Sequence, residues 1–196
     1  MRADQTRQWD EKYRSGLPPW DRQGVSPALL HWLEVGRLAP CRILVPGCGH
    51  GHEVMELARR GFDAYGLDIA PTPLARLRAR LAEAGLGARL IQADALVWQP
   101  EAPFDAIYEQ TCLCALDPGV WPAYQAQLYR WLKPGGALFA LFMQTGRTGG
   151  PPYHCDLGEM HTLFPDDRWT WAKPPYPEVP HPNGLFEVAV VLRRQP

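Results

Sequence analysis

Arg42-Ile43-Leu44-Val45-Pro46-Gly47-Cys48-Gly49-His50-Gly51-His52-Glu53 is the stretch whose reading decides the fold. Arg42 to Pro46 is a short apolar run of the kind that forms a buried strand. It runs into a glycine-rich turn, and a helix pattern from Glu53 to Arg60 follows, with Val54, Leu57 and Ala58 inward. A turn at the carboxyl end of a parallel strand is where α/β sheets bind ligands. Its glycines permit the tight bend and let a ligand approach the backbone. The following helix N-terminus favours an anionic group, either a phosphate or a carboxylate. Taken alone, the motif also fits a glycine-rich turn with no ligand; the strand-loop-helix context favours binding.

Working outward, strand and helix signals alternate. Ala64 to Asp68 reads as a second strand, Pro73 to Ala84 as a helix with Leu74, Leu77 and Leu81 on one stripe, and Arg89 to Ala93 as a third strand. Phe104 to Tyr108 is a fourth, Trp121 to Leu132 a helix carrying Tyr124, Leu128 and Trp131, and Ala137 to Met143 a fifth strand. Before the first strand, Ser26-Pro27 opens a helix with Leu29, Leu30 and Leu33 on its apolar face. Asp156 with Glu159 resembles a capping box for a last helix ending at Phe164. Arg168 to Ala172 and Leu185 to Leu192 are expected to close the sheet as an antiparallel pair around a Pro-rich loop, Pro174 to Pro182. The pattern predicts one α/β domain over residues 1–196, a mostly parallel twisted sheet with helices on both faces. Residues 1–24 form an N-terminal arm or lid, polar but carrying Trp9, Tyr13 and Trp20.

Composition narrows the function. A net charge of −1 over 196 residues argues against a nucleic-acid binder that relies on bulk charge. No apolar run is long enough to span a bilayer, and the charged N-terminus has no signal-peptide core. Five irregularly spaced cysteines read as free thiols. The expectation is a cytoplasmic protein, monomeric or weakly dimeric, acting on a small molecule without nucleic acid or membrane. His50 and His52 flank Gly51 but do not form a zinc motif, so no metal is expected.

Asp68 ends the second strand, where a carboxylate accepts both hydroxyls of a ribose or else caps the next helix. Asp94 ends the third, within reach of an adenine. These features fit NAD or S-adenosylmethionine. The length leaves little room for a dehydrogenase substrate domain. Tyr129 and Lys133 match the YxxxK spacing of short-chain dehydrogenases, but the chain has no partner serine beyond Ser15 and Ser26, so Tyr129 reads as a helix-face aromatic. Leu132-Lys133-Pro134-Gly135-Gly136 resembles the entry to the fifth strand of class I methyltransferases.

The motifs Trp9…Tyr13…Trp20, LVPGCGHG, GLDIA, YEQTCLCAL, LKPGG and GGPPY resemble the thiopurine methyltransferase superfamily, nearest its halide/thiol methyltransferase branch. The resemblance runs from about Trp9 to about Phe164 and implies a Rossmann-like class I methyltransferase. It implies S-adenosylmethionine as donor and S-adenosylhomocysteine as product. It places Trp9, Tyr13, Trp20, Gly47, Gly49, Asp68, Ile69, Asp94, Ala95 and Glu109 around the donor, with Tyr153 and Glu109 in the catalytic role. Tyr13 stands where the halide/thiol branch often has tryptophan. Glu109 stands where relatives carry an acid after the fourth strand, usually aspartate.

The donor's sulfonium is a permanent cation, and an aromatic face stabilises one by roughly 0.5–2 kcal/mol. Trp9, Tyr13 and Trp20 suit that role, or they pack the arm onto the domain. Glu109 holds the donor's ammonium, or it is a solvated loop acid. Tyr153 orients the acceptor, or it is a loop aromatic fixed by prolines. No general base is obvious, which suits a thiol, bisulfide or halide acceptor. The alternatives are a thiopurine-like thiol, a metalloid oxyanion, another small metabolite, or a donor-binding module without catalysis. Cys112 and Cys114 read as small apolar residues, Cys48 as a support of the glycine turn, and His154 as weak support for a base.

Overall fold

The computed structural model describes residues 3–196; Met1, and Arg2 of the arm, lie outside the described residues. Contacts divide the chain into two units, one ending at Trp98 and one beginning at Gln99.

The first unit holds α1 (Ala3–Arg14), α2 (Pro27–Glu34), β1 (Arg42–Pro46), α3 (His52–Arg59), β2 (Asp63–Asp68), α4 (Pro71–Glu83) and β3 (Arg89–Gln92). Its strands run in the order β3-β2-β1, all parallel, with Val45 opposite Gly66 and Asp68 opposite Gln92. Ile43 to Pro46 and Ala64 to Asp68 are continuously buried, as expected of strands covered on both faces. Leu74, Leu77 and Leu81 of α4 are buried as the helical period requires. Two expectations shift. The inward face of α2 is Ala28, Leu29 and Trp32 rather than Leu30 and Leu33, because the large indole takes the core position one turn after Leu29. In α3, Met55 is buried and Ala58 only half-buried.

The second unit holds β4 (Phe104–Gln110), α5 (Trp121–Trp131), β5 (Leu132–Gln144), α6 (Leu157–Leu163), β6 (Trp169–Trp171), β7 (Glu178–Pro180) and β8 (Phe186–Arg194). β4 and β5 are parallel. β8 then lies antiparallel to β5, and β6 and β7 follow one another along its other side. The expected closing pair is therefore larger: the Pro-rich loop contributes a strand of its own, β7. Asp156 caps α6 by accepting from the Gly158 and Glu159 amides at 2.8 and 3.1 Å. Trp131, Trp169, Tyr108, Tyr124 and Phe104 are fully buried in this unit. A ring of this size stabilises the fold by roughly 1.5–3 kcal/mol when removed from water.

Tyr129 is the helix-face aromatic of the sequence reading. The guanidinium groups of Arg168 and Arg194 lie 4.0 and 4.3 Å from its ring, and Lys133 pairs with Asp105 at 2.6 Å. The architecture is a mixed α/β sheet with parallel strands and an antiparallel C-terminal part, with helices around it.

Candidate active site

The ends of β1, β2 and β3 meet at one edge. Cys48 N–H donates to the Leu67 carbonyl, and Ala93 N–H donates to the Asp68 carbonyl, each at 3.0 Å. Gly47, Asp68 and Asp94 therefore stand side by side, as their positions at successive strand ends predict. Gly49 and Gly51 have φ of 49° and 71°, a left-handed backbone that a side chain rarely adopts. Close approach adds a second demand. A Cβ on Gly49 would lie 2.8 Å from the Tyr13 hydroxyl, and one on Gly51 would collide with Leu77.

Asp68 holds this turn together. Its Oδ2 accepts from Gly49 N–H and its Oδ1 from Ala70 N–H, both at 2.8 Å. It thus grips the glycine loop and helps cap α4. The residue is only 6% exposed, and burial pushes its pKa up while the backbone donors oppose that. Each oxygen retains a lone pair for a further donor. Asp94 is half-buried and accepts from Leu96 N–H at 2.9 Å; Ile69 and Ala95 beside these acids are half-buried.

The arm docks through α1, and residues 15–24 follow it as turns and bends. Asp10 accepts from Thr72 N–H at 2.7 Å, capping α4 from another element, and pairs with Arg14 at 2.9 Å. Arg76 donates to the Tyr13 carbonyl at 3.1 Å. Tyr13 is buried with its hydroxyl over the glycine turn, edge-on to Trp20 and His50. Burial and the nearby Asp68 charge keep its phenol protonated well above the usual range. Half-buried Trp9 and Trp20, 5.5 Å apart, hold a cation: the Lys12 ammonium lies 4.1 Å from the Trp9 ring centre and 5.6 Å from that of Trp20. The next residue, Asp21, accepts from His52 at 3.0 Å and contacts His50 as well. Burial opposes its ionisation, but the hydrogen bonds from His52 and His50 outweigh that and hold its carboxyl far below the usual range. His50 and His52 thus clasp the arm, and among the described residues no group of three or more such side chains is arranged to hold a metal.

In the second unit, Glu109 belongs to β4 itself, since the strand continues to Gln110. It is 1% exposed, which removes the solvated-acid reading. Oε1 accepts from Leu113 N–H at 2.7 Å, and Oε2 has no hydrogen-bond partner among the described residues. Burial pushes its pKa up to about 7, with the neighbouring Glu187 carboxylate adding to the rise. Tyr153 N–H donates to the Cys114 carbonyl at 2.7 Å, tying the Gly149-Tyr153 segment to the turn after β4. Its ring lies against Gly150, where a Cβ would come within 2.6 Å. Its hydroxyl makes no hydrogen bond among the described residues. His154 accepts from Thr145 N–H at 3.1 Å and so fixes the loop.

Sequence reasoning missed Asp10, Asp21 and Glu187. Their partners are 62, 31 and 77 residues away in the chain. Only Glu187 left a trace, as an acid inside the apolar run of the last strand.

The first unit fits an adenosyl sulfonium. A glycine turn, two acids on adjoining strands and an indole pair already holding an ammonium match its carboxylate, nucleoside and cation in type.

Comparison with known proteins agrees. The family model for thiopurine S-methyltransferase matches residues 4–183. The chain is 34% identical over 159 residues to the probable thiol methyltransferase 2 of Arabidopsis thaliana, covering 80% of this chain and 70% of that protein. Thiocyanate methyltransferase 1 of the same plant is 32% identical with the same coverage. Among solved structures, 1,6-didemethyltoxoflavin-N1-methyltransferase of Burkholderia thailandensis, with bound S-adenosylhomocysteine, superposes with a TM-score of 0.78 at 20% identity, covering 99% of this chain and 88% of that one. The chain belongs to the thiopurine S-methyltransferase family and is an S-adenosylmethionine-dependent methyltransferase with the class I fold.

Proposed function

We propose that this enzyme transfers the methyl group of S-adenosylmethionine to a small soft nucleophile (a thiol, bisulfide or halide) by in-line displacement. The donor supplies a methyl carbon activated by a sulfonium leaving group. In our assignment the first unit holds it. Asp68 and Asp94 accept from the ribose and adenine, the turn at Gly47 and Gly49 receives the amino-acid end, and Trp9 and Trp20 face the cation. Ile69 and Ala95 border the nucleoside. Tyr153 and Glu109 are assigned to the acceptor. The assignment of residues 1–196 to one methyltransferase domain, cytoplasmic and monomeric or weakly dimeric, is part of the same proposal.

The observation that carries this reading is Tyr153: its ring lies against Gly150 and its backbone is held by Cys114, while its hydroxyl has no hydrogen-bond partner among the described residues. A donor held in a preset position orients a small acceptor without reorganisation, and such positioning lowers the barrier. The names of the relatives support a sulfur nucleophile.

Release of S-adenosylhomocysteine across bisulfide, alkyl thiols, iodide, thiopurines and tellurite tests the proposal. Turnover confined to thiopurines or tellurite moves the enzyme to that substrate class. Donor binding with no turnover on any acceptor refutes the catalytic reading in favour of a sensor.

A further inference from the structure

We propose that the acceptor is a neutral thiol that arrives with its proton, that Glu109 removes that proton through Oε2, and that Glu187 is a positioning residue for it. The proposal rests on the acceptor role given to Glu109 above and goes beyond it by choosing among acceptors.

The geometry is specific. Glu109 Oε2 is buried and without a hydrogen-bond partner among the described residues, while Oε1 is held by Leu113 N–H at 2.7 Å. Leaving a buried charged acceptor unsatisfied costs free energy that a ligand donor restores. A second buried carboxylate approaches from β8. Glu187 is fully buried and accepts from Gln110 at 3.0 Å, and Gln110 accepts in turn from the Tyr108 hydroxyl at 2.9 Å. That chain fixes Glu187 with respect to β4. The Cys112 backbone also lowers the Glu109 pKa by hydrogen bonding, and the other titratable groups near it, whose own ionisation its charge opposes, are Cys114 from the turn after β4, Tyr124 from α5 and Cys155 from the segment before α6. None of them is a cation.

This environment selects by charge. A halide or thiocyanate would meet a carboxylate with a second carboxylate behind it, and like charges in a poorly solvated site repel. A neutral S–H group instead donates to Oε2. The protein's own thiols do not compete. Burial pushes both Cys114 and Cys155 upward, with neighbouring charges adding to it, so they stay protonated.

The step balances. The acceptor's S–H bond breaks and its proton passes to Glu109 Oε2. The electron pair left on sulfur forms the new bond to the methyl carbon, whose bond to the sulfonium sulfur breaks. That sulfur keeps the bonding pair and becomes a neutral thioether. Glu109 later returns the proton to solvent.

The test compares 2-mercaptoethanol, thiophenol and iodide as acceptors for the full-length enzyme across neutral pH. In the wild type, kcat/KM for 2-mercaptoethanol rises with pH around a midpoint near 7, that for the more acidic thiophenol passes through a maximum because its neutral form is itself lost near neutrality, and iodide turnover falls through the same midpoint as the 2-mercaptoethanol rise. Glu109→Gln keeps the Leu113 hydrogen bond and the side-chain shape; cooperative melting verifies that it folds. It lowers 2-mercaptoethanol turnover about a hundredfold or more, the range expected for loss of a general base, and removes the fall with iodide. Glu187→Gln shifts the shared midpoint down.

A readout without donor or turnover is the infrared band of a protonated carboxyl. It disappears near pH 7 in the wild type, is absent in Glu109→Gln, and disappears at lower pH in Glu187→Gln. The proposal is overturned if Glu109→Gln turns over 2-mercaptoethanol like the wild type, if the wild-type midpoint for 2-mercaptoethanol follows that thiol's own acidity, if thiophenol turnover keeps rising above neutral pH, or if iodide turnover rises with pH. In those cases the methyltransferase reading stands. No product from any acceptor with wild-type enzyme would remove that reading and this one together.

Discussion

At the scale of residues, Asp68 and Tyr153 make contrasting predictions. Asp68 links the glycine turn to the start of α4 by two charge-assisted bonds. Asp68→Ala loses both, at roughly 1.5–3 kcal/mol for each hydrogen bond to a charged group. Donor affinity is expected to fall at least about tenfold by the same scale, with a lowered Tm. Unchanged titration heats would take Asp68 out of the donor site. Tyr153→Phe removes only a hydroxyl that no described residue holds. Acceptor kcat/KM should drop while calorimetric donor affinity stays near wild type; an equal loss of both would show that the residue merely packs. The sequence made Asp68 legible because its place at the carboxyl end of a strand, beside the glycine turn, marks a ligand-binding edge. It left open whether Asp68 binds ribose or caps a helix, and the structure shows the capping bond together with a grip on Gly49.

At the scale of elements, α1 is held by bonds that few sequence patterns reveal. Ala70 gives α4 no side-chain cap, and Asp10 supplies one to Thr72 from across the chain. Loss of such a cap costs about 0.5–2 kcal/mol. Asp10→Ala should therefore speed hydrogen exchange in α1 while leaving β1 and β2 protected. It should also weaken donor affinity, because Tyr13 is carried over the glycine turn by the same helix. Exchange in α1 indistinguishable from wild type would mean that Asp10 does not anchor the arm. Strand periods made β1, β2 and β3 readable almost to the residue. β7 was not readable, since Glu178-Val179-Pro180 sits among prolines and becomes a strand only by pairing with β8.

At the scale of the whole molecule, donor binding should register as stability. A ligand that binds only the folded chain at 100 times its Kd adds about 2.7 kcal/mol. For a chain of this size that is a rise of roughly 5–10 °C in Tm. S-adenosylhomocysteine should produce it and NAD should not; the reverse would return the glycine turn to a dinucleotide.

The sequence by itself determined the order of strands and helices, the glycine turn with Asp68 and Asp94 beside it, and through its motifs the donor. These depend on local periodicity and on chain position at a strand end, which neighbouring residues encode. Only the tertiary structure decided the surroundings of Glu109. A carboxylate's charge depends on what excludes water from it and which other charges approach. Glu187 comes from the last strand and the Leu113 amide from a turn, and only folding brings them to one carboxyl group.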